Sequence, residues 1–174
     1  MAIKTIITEP NKILRQKSLP VYKVGKEEQQ LMDDMLETMY DANGIGLASI
    51  QIGVPKRIIV MDISKKDEKK NPMYFVNPII KNKNLEMSTY EEGCLSVPNY
   101  FAEVDRPKRC DVEYIDYHGK KKILKAEGLL STCIQHEMDH LEGILFIDYL
   151  SKLKKTMIVK KLSKKKDRPD RIVV

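Results

Sequence analysis

His136 and His140 stand four residues apart in "CIQHEMDHLEG", Cys133 to Gly143, with Glu137 directly after the first. Residues i and i+4 of a helix share one face, with Cβ atoms about 5–6 Å apart. Two imidazoles at that spacing can reach one ion at roughly 2.0–2.1 Å each. Glu137 sits about 100° round the helix from His136. It can therefore act on a water at the ion without being a ligand, the placement of a general base in metal-assisted hydrolysis. The competing reading is a helix whose polar side carries two histidines by chance. Two features favour chemistry. The chain has three histidines and spends two of them here. Leu130, Cys133, Ile134, Met138 and Leu141 are apolar enough to bury most of the helix, and buried imidazoles need partners.

A catalytic site of this type takes three protein ligands and keeps one position open. Cys94 in "EEGCLSVP" is the best third candidate. It ends a strand-like run beside Gly93, which permits close backbone approach. The alternative is a small buried hydrophobe. A third stretch, "GIGLASIQIGVP" from Gly44 to Pro55, has the glycines of a tight turn but not the spacing of a dinucleotide or phosphate loop. It reads either as a turn feeding a strand or as a loop with exposed backbone donors and Gln51 aimed at a substrate carbonyl.

The elements that must position these residues follow from periodicity. "EEQQLMDDMLETMYDANG" places Met32, Met35, Leu36 and Met39 at helical spacing, with Asn43-Gly44 as a stop signal. "KRIIVMDI", "MYFVNPII", "CDVEYIDY" and "KKILKAEG" read as strands, and the last two flank His118-Gly119, a hairpin signal that makes His118 a turn residue. A second helix is expected over about 129–142 with Gly143 as its cap, and a third over about 150–165 with Leu150, Leu153, Met157 and Leu162 on an apolar stripe. The whole reads as α+β: a single domain with antiparallel β-sheets packed around a central helix carrying the histidines, and a basic C-terminal helix. Residues 1–150 are expected to form the catalytic domain, with 151–174 a basic helix and tail, part of it or appended.

Composition narrows the class. At 174 residues, 42% hydrophobic and 32% charged, the chain suits a globular protein of one domain. No apolar run approaches bilayer length and "MAIKTIITEP" lacks a secretory h-region, so a cytoplasmic location is expected. Three cysteines, Cys94, Cys110 and Cys133, argue for reduced thiols over a disulfide framework. The net charge of +6 is concentrated after residue 150, where ten basic and two acidic residues give +8 against −2 elsewhere. Such an end is either a solvated helix face or a docking element for nucleic acid or an anionic surface.

Together "GIGLASIQ", "EGCLS" and "QHEMDHLEG", in that order, resemble the peptide deformylase family, whose signatures are GxGLAAxQ, EGCLS and QHExDHLxG. The resemblance runs from "EPNKILRQKS" through "GILFIDYLSKLKK". It implies that Cys94, His136 and His140 are metal ligands, that Glu137 is the acid/base, and that Gln51 and the backbone N–H of Leu95 stabilise the oxyanion. It also implies that Ile45 and Gly46 offer main-chain groups to a substrate lying as an added strand; Ile45, Leu129, Thr132 and Cys133 are the candidates for an apolar methionine pocket, with plain core packing as the alternative for each. The implied reaction removes the formyl group from the N-formyl-methionyl end of newly made proteins and releases formate. The implied cofactor is one divalent ion per chain, Fe2+ in the cell, with Zn2+, Ni2+ or Co2+ able to substitute. The basic helix, Lys152 to Lys166, resembles the segment by which some deformylases dock on the ribosome, where phosphate-rich RNA attracts it in a salt-dependent way.

Three positions depart from the family pattern. Ser49 replaces the second alanine of GLAA, Thr132 stands where many members carry an aliphatic residue, and Phe101 where some have an arginine near the peptide path. Against the deformylase reading stand a broader metallopeptidase, and a non-catalytic relative with a structural metal. The second is disfavoured because Glu137 and Gln51 are present and structural zinc usually takes four protein ligands.

Overall fold

The computed structural model describes residues 2–65 and 67–166. Among the described residues three α-helices, α1 (Lys26–Asp41), α2 (Leu129–Leu141) and α3 (Lys152–Lys166), accompany seven strands. The strands are β1 (Gly46–Ala48), β2 (Ile58–Met61), β3 (Met73–Lys83), β4 (Met87–Cys94), β5 (Val97–Pro107), β6 (Arg109–Ile115) and β7 (Lys121–Glu127). Five of them form an antiparallel sheet in the order β1-β2-β3-β6-β7, while β4 and β5 pair as a separate hairpin. The expected α+β class, with antiparallel sheets around the histidine helix, is what the structure shows.

The β2 sequence "IIVM" explains how one sheet serves two helices. Side chains alternate across a strand, and here both sets are buried. Ile58 and Val60 join Met32, Met35 and Met39 of α1, whereas Ile59 and Met61 join Phe75, Cys133, Ile134 and Leu141 beneath α2. Helix α1 starts with the Glu28 carboxylate accepting from the Gly25 N–H at 3.0 Å and stops before Asn43, whose φ of 54° is left-handed. The expected β6–β7 hairpin is present, turning through Gly119 at φ 79°.

Helix α2 ends at Leu141, and Gly143 takes φ 75° as its cap requires. A Cβ there would also strike the backbone of Arg15. The N-terminal segment thus straps the end of the histidine helix, reinforced by a hydrogen bond from Ser18 N–H to Leu141 O at 2.8 Å. The third core lies between the β4–β5 hairpin and the chain after α2, where Val97, Val104, Phe146 and Ile147 meet Leu162. Ile158, Val159 and Leu162 are the residues α3 packs inward; Leu153 and Met157, on the stripe read from sequence, are exposed. Residues 167–174 of the expected tail lie outside the described residues.

Candidate metal centre

The hairpin and α2 bring the separated motifs together. Cys94 ends β4, and its Sγ lies 3.2 Å from His140 Nε2. One ligand atom from each of Cys94, His136 and His140 falls within 4.8 Å of the others. The donor set is one that first-row divalent ions accept, a thiolate with two imidazoles. His136 donates from Nδ1 to Glu92 Oε2 at 2.8 Å, which fixes the tautomer that leaves Nε2 with a free lone pair. Both histidines are buried. Burial holds the His140 pKa well below the ordinary imidazole value, helped by the positive charge of Arg106. A neutral, desolvated imidazole beside a cysteine sulfur is the state a metal ligand needs, so the residues present fit a divalent ion.

Behind this cluster lies a charged layer that the sequence reading missed. Arg106 on β5 is 4% exposed and grips Glu92 with Nε at 2.6 Å and Nη2 at 3.0 Å, while its Nη1 reaches Asp139 at 2.8 Å. Tyr149 donates to the same Asp139 oxygen at 2.8 Å. Burial raises the Glu92 pKa, but bonds from His136 and Arg106 outweigh it and hold the carboxyl below its usual range. A signal for these residues existed. Val104 and Arg106 fall on one side of an alternating strand, as do Tyr90 and Glu92, and an arginine on a core-facing position demands a buried partner.

Glu137 is buried beside the cluster, and its Oε2 has no hydrogen-bond partner among the described residues. Burial, with the nearby Glu92 and Asp139 carboxylates adding and His136 and Arg106 opposing, pushes its pKa up to about 7. A buried carboxyl oxygen with no partner among the described residues can both accept and return a proton. Gly46 sets its position: any Cβ there would collide with the Glu137 carboxyl.

Gln51 is equally constrained. Its Oε1 accepts from Ala48 N–H at 2.8 Å, which directs Nε2 toward Ser96 Oγ at 3.0 Å and Cys94 Sγ at 3.6 Å. Leu95 follows Cys94 into the wall of the same cavity. The β1–β2 register pairs Ile45 with Asp62 by extension, and Asp62 N–H donates to Ile45 O at 2.9 Å. The Ile45 carbonyl is thus occupied by the protein itself, and by the antiparallel pattern the N–H and C=O of Gly46 face the open edge of β1.

A cavity of about 530 Å³ opens onto these groups, with Ile45, Leu129, Thr132 and Cys133 in its wall. Leu129 is 42% exposed and Ile45 43%, so neither is a core residue, whereas Cys133 is buried and belongs to the core as well as the wall. Tyr90, unremarked in the sequence, also lines it. Phe101 is 67% exposed at the cavity, its ring covering Gly93 so closely that a Cβ there would clash. His118 sits in the β6–β7 turn, away from the cluster.

The sequence pattern of the polypeptide deformylase family matches residues 3–156. The chain is 72% identical over 174 residues to a peptide deformylase of Pelagibacter ubique (strain HTCC1062), covering 100% of both. It is 56% identical over 164 residues to one of Rhizobium meliloti (strain 1021), covering 94% of each. Among solved structures, peptide deformylase from Ehrlichia chaffeensis in complex with actinonin superposes with a TM-score of 0.92 at 43% identity, over 97% of this chain and 100% of that one. A class I type b peptide deformylase from Acinetobacter baumannii with Met-Ala-Ser bound gives a TM-score of 0.81 at 31% identity, over 86% and 99%.

Proposed function

The chain belongs to the polypeptide deformylase family of metallo-hydrolases, and we propose that it removes the formyl group from the N-terminal formyl-methionine of newly synthesised proteins, releasing formate. The observation that carries this reading is the convergence of Cys94, His136 and His140 within 4.8 Å, with Glu137 buried beside them. Cys94, His136 and His140 would hold one divalent ion, Fe2+ in the cell with Zn2+, Ni2+ or Co2+ able to replace it, and that ion would supply Lewis acidity.

The rest is done by the chain. Glu92 keeps His136 in its ligating tautomer. Glu137 Oε2, which has no partner among the described residues, takes a proton from the attacking water and passes it to the departing methionine nitrogen. Gln51 Nε2 and the Leu95 N–H donate to the oxyanion as charge develops on the formyl oxygen. The peptide lies along the open edge of β1, bonding to Gly46, with the side chains of Ile45, Leu129, Thr132 and Cys133 around its methionine. The Met-Ala-Ser bound by the Acinetobacter baumannii relative supports a peptide path of this kind, and Phe101 lies where residues after methionine leave.

Residues 1–150 act as the catalytic domain and 151–174 as its basic helix and tail. The exposed Lys152, Lys154, Lys160, Lys161 and Lys164 of α3 give a surface for ribosomal RNA in the cytoplasm. Among the described residues no helix is long and apolar enough to cross a membrane. The deciding experiment is formate release from formyl-Met-Ala-Ser by anaerobically prepared, metal-loaded protein, run beside Glu137→Ala with bound metal quantified in both. Release lost in the variant despite retained metal supports the mechanism. A fully metallated wild-type protein that releases no formate refutes it.

A further inference from the structure

One hydroxyl on a residue of the cavity wall is unaccounted for. Thr132 lies one helical turn before His136 on the same face of α2 and is 4% exposed. Its Oγ1 is buried with no hydrogen-bond partner among the described residues. A threonine within a helix usually turns its hydroxyl to the carbonyl four residues back; here Gly128 O accepts only the Thr132 N–H, at 3.0 Å. The preceding residue shows the contrast. Ser131 Oγ donates to Pro107 O at 3.0 Å and accepts from Gln135 Nε2 at 3.0 Å. The fold satisfies the hydroxyl that faces its interior and leaves unsatisfied the one on a cavity-lining residue.

An unpaired buried hydroxyl carries a desolvation cost that valine, nearly the same shape, would not. The other wall residues within one turn, Leu129, Cys133 and His136, offer it no hydrogen bond. We infer that the Thr132 hydroxyl reads a hydrogen-bond acceptor on the first side chain of the substrate. The inference rests on the deformylase reading and deepens it. The class of side chain is unbranched with an acceptor at the sulfur position: the methionine thioether, a weak acceptor, and more strongly methionine sulfoxide, whose oxygen projects from the same chain. N-formyl peptides that begin with oxidised methionine thus become substrates, while norleucine, equal in length without an acceptor, gains nothing from the hydroxyl.

The test uses formyl-X-Ala-Ser with X as norleucine, methionine or methionine sulfoxide, following formate release by metal-loaded wild type, Thr132→Val and Thr132→Ser. In wild type, kcat/KM for the sulfoxide peptide is expected within tenfold of that for norleucine. In Thr132→Val the sulfoxide-to-norleucine ratio falls a further three- to tenfold, about what one neutral hydrogen bond supplies. The methionine-to-norleucine ratio falls less. The change is carried by KM, because the contact is remote from the formyl carbon, and Thr132→Ser keeps the wild-type ratio. Equal ratios in wild type and Thr132→Val overturn the inference, as does Thr132→Ser behaving like valine. A wild-type gap between norleucine and sulfoxide beyond tenfold also overturns it, without reliance on any variant. These results overturn the role of the hydroxyl and leave the deformylase reading standing. Absence of formate from all three peptides is the distinct result that removes the deformylase reading and this inference with it.

Discussion

Glu92→Gln is the substitution that best separates holding the fold from holding the metal. The glutamate accepts three charge-assisted bonds, two from Arg106 and one from His136, with its side chain 5% exposed. Glutamine has the same shape but offers one acceptor and one donor. If its oxygen faces His136, its NH2 meets the Arg106 fork; if reversed, it forces a proton onto the wrong imidazole nitrogen. Removing one member of a buried ion pair typically costs about 3–5 kcal/mol. Asp139 still holds Nη1 of Arg106 at 2.8 Å, so about half of that is expected, roughly 2 kcal/mol. In a chain of this size that lowers the metal-free melting temperature by about 4–8 °C. Loss of a bond that orients a ligating histidine weakens metal binding about 10–100-fold.

Melting of the metal-free protein and competition against a chromophoric chelator read the two effects separately. The decisive variant is Glu92→Leu with Arg106→Leu. Replacing a buried ion pair by apolar side chains often restores stability, so its melting temperature should recover toward wild type. Metal affinity should not recover, because His136 Nδ1 still lacks its acceptor. If affinity returns along with stability, Glu92 acts only through the fold and the orienting role is wrong. If Glu92→Gln melts and binds metal as wild type does, the ion pair matters to neither.

Gly46→Ala should lower kcat with metal content unchanged, since its Cβ occupies the space of the Glu137 carboxyl; single-turnover formate release on protein of measured metal content checks this. Gln51→Ala should cost about 10²–10³ in kcat, the usual loss for one oxyanion donor, measured with formyl-Met-Ala-Ser. Burial raises the Asp148 carboxyl, but Lys155, the Leu145 N–H and Arg15 outweigh it and depress the folded-state pKa. A depressed carboxyl stabilises the fold above its unfolded value of about 3.9 and loses that contribution as pH falls below it. Asp148→Asn should therefore lower stability at pH 7 and flatten its decline between pH 5 and 2, as denaturant titrations would show. Lys160→Glu with Lys161→Glu should reduce co-sedimentation with ribosomes at low salt and leave peptide deformylation as it was; unchanged co-sedimentation makes α3 only a solvated helix.

The sequence yielded whatever rests on local periodicity or fixed spacing. Helix α1, the β6–β7 hairpin, the Gly143 cap and the i, i+4 histidine pair all depend on residues near one another in the chain. The β4–β5 hairpin was only half visible. Its turn, Leu95-Ser96, lacks glycine, and β4 carries Glu91 and Glu92 side by side, which masks the alternation that buries one and exposes the other. The stripe on α3 misled because hydrophobic spacing does not say which face finds a partner: Leu162 reaches Val97 and Phe146, while Leu153 points away. Glu92 and Arg106 were missed because each is an ordinary charged residue until the strand register places it inside.

That hidden layer explains how three candidate ligands on two elements come together. Cys94 comes from a hairpin that does not hydrogen-bond to the main sheet as a strand, so its approach to α2 must be fixed some other way. The Arg106 guanidinium supplies it, joining β5 to Glu92 on β4, to Asp139 on α2 and, through Asp139, to Tyr149. A hydrophobic contact there would hold the two elements together but tolerate sliding, whereas a bidentate fork fixes both distance and plane. The Glu92 carboxylate that fixes the His136 tautomer is the one this fork grips, so the same ion pair also sets the gap between the Cys94 sulfur and the two imidazoles. It follows that Arg106→Lys, which keeps the charge but loses the fork, should damage metal affinity more than stability. An equal loss of both would show that the charge alone, not its geometry, holds the hairpin to the helix.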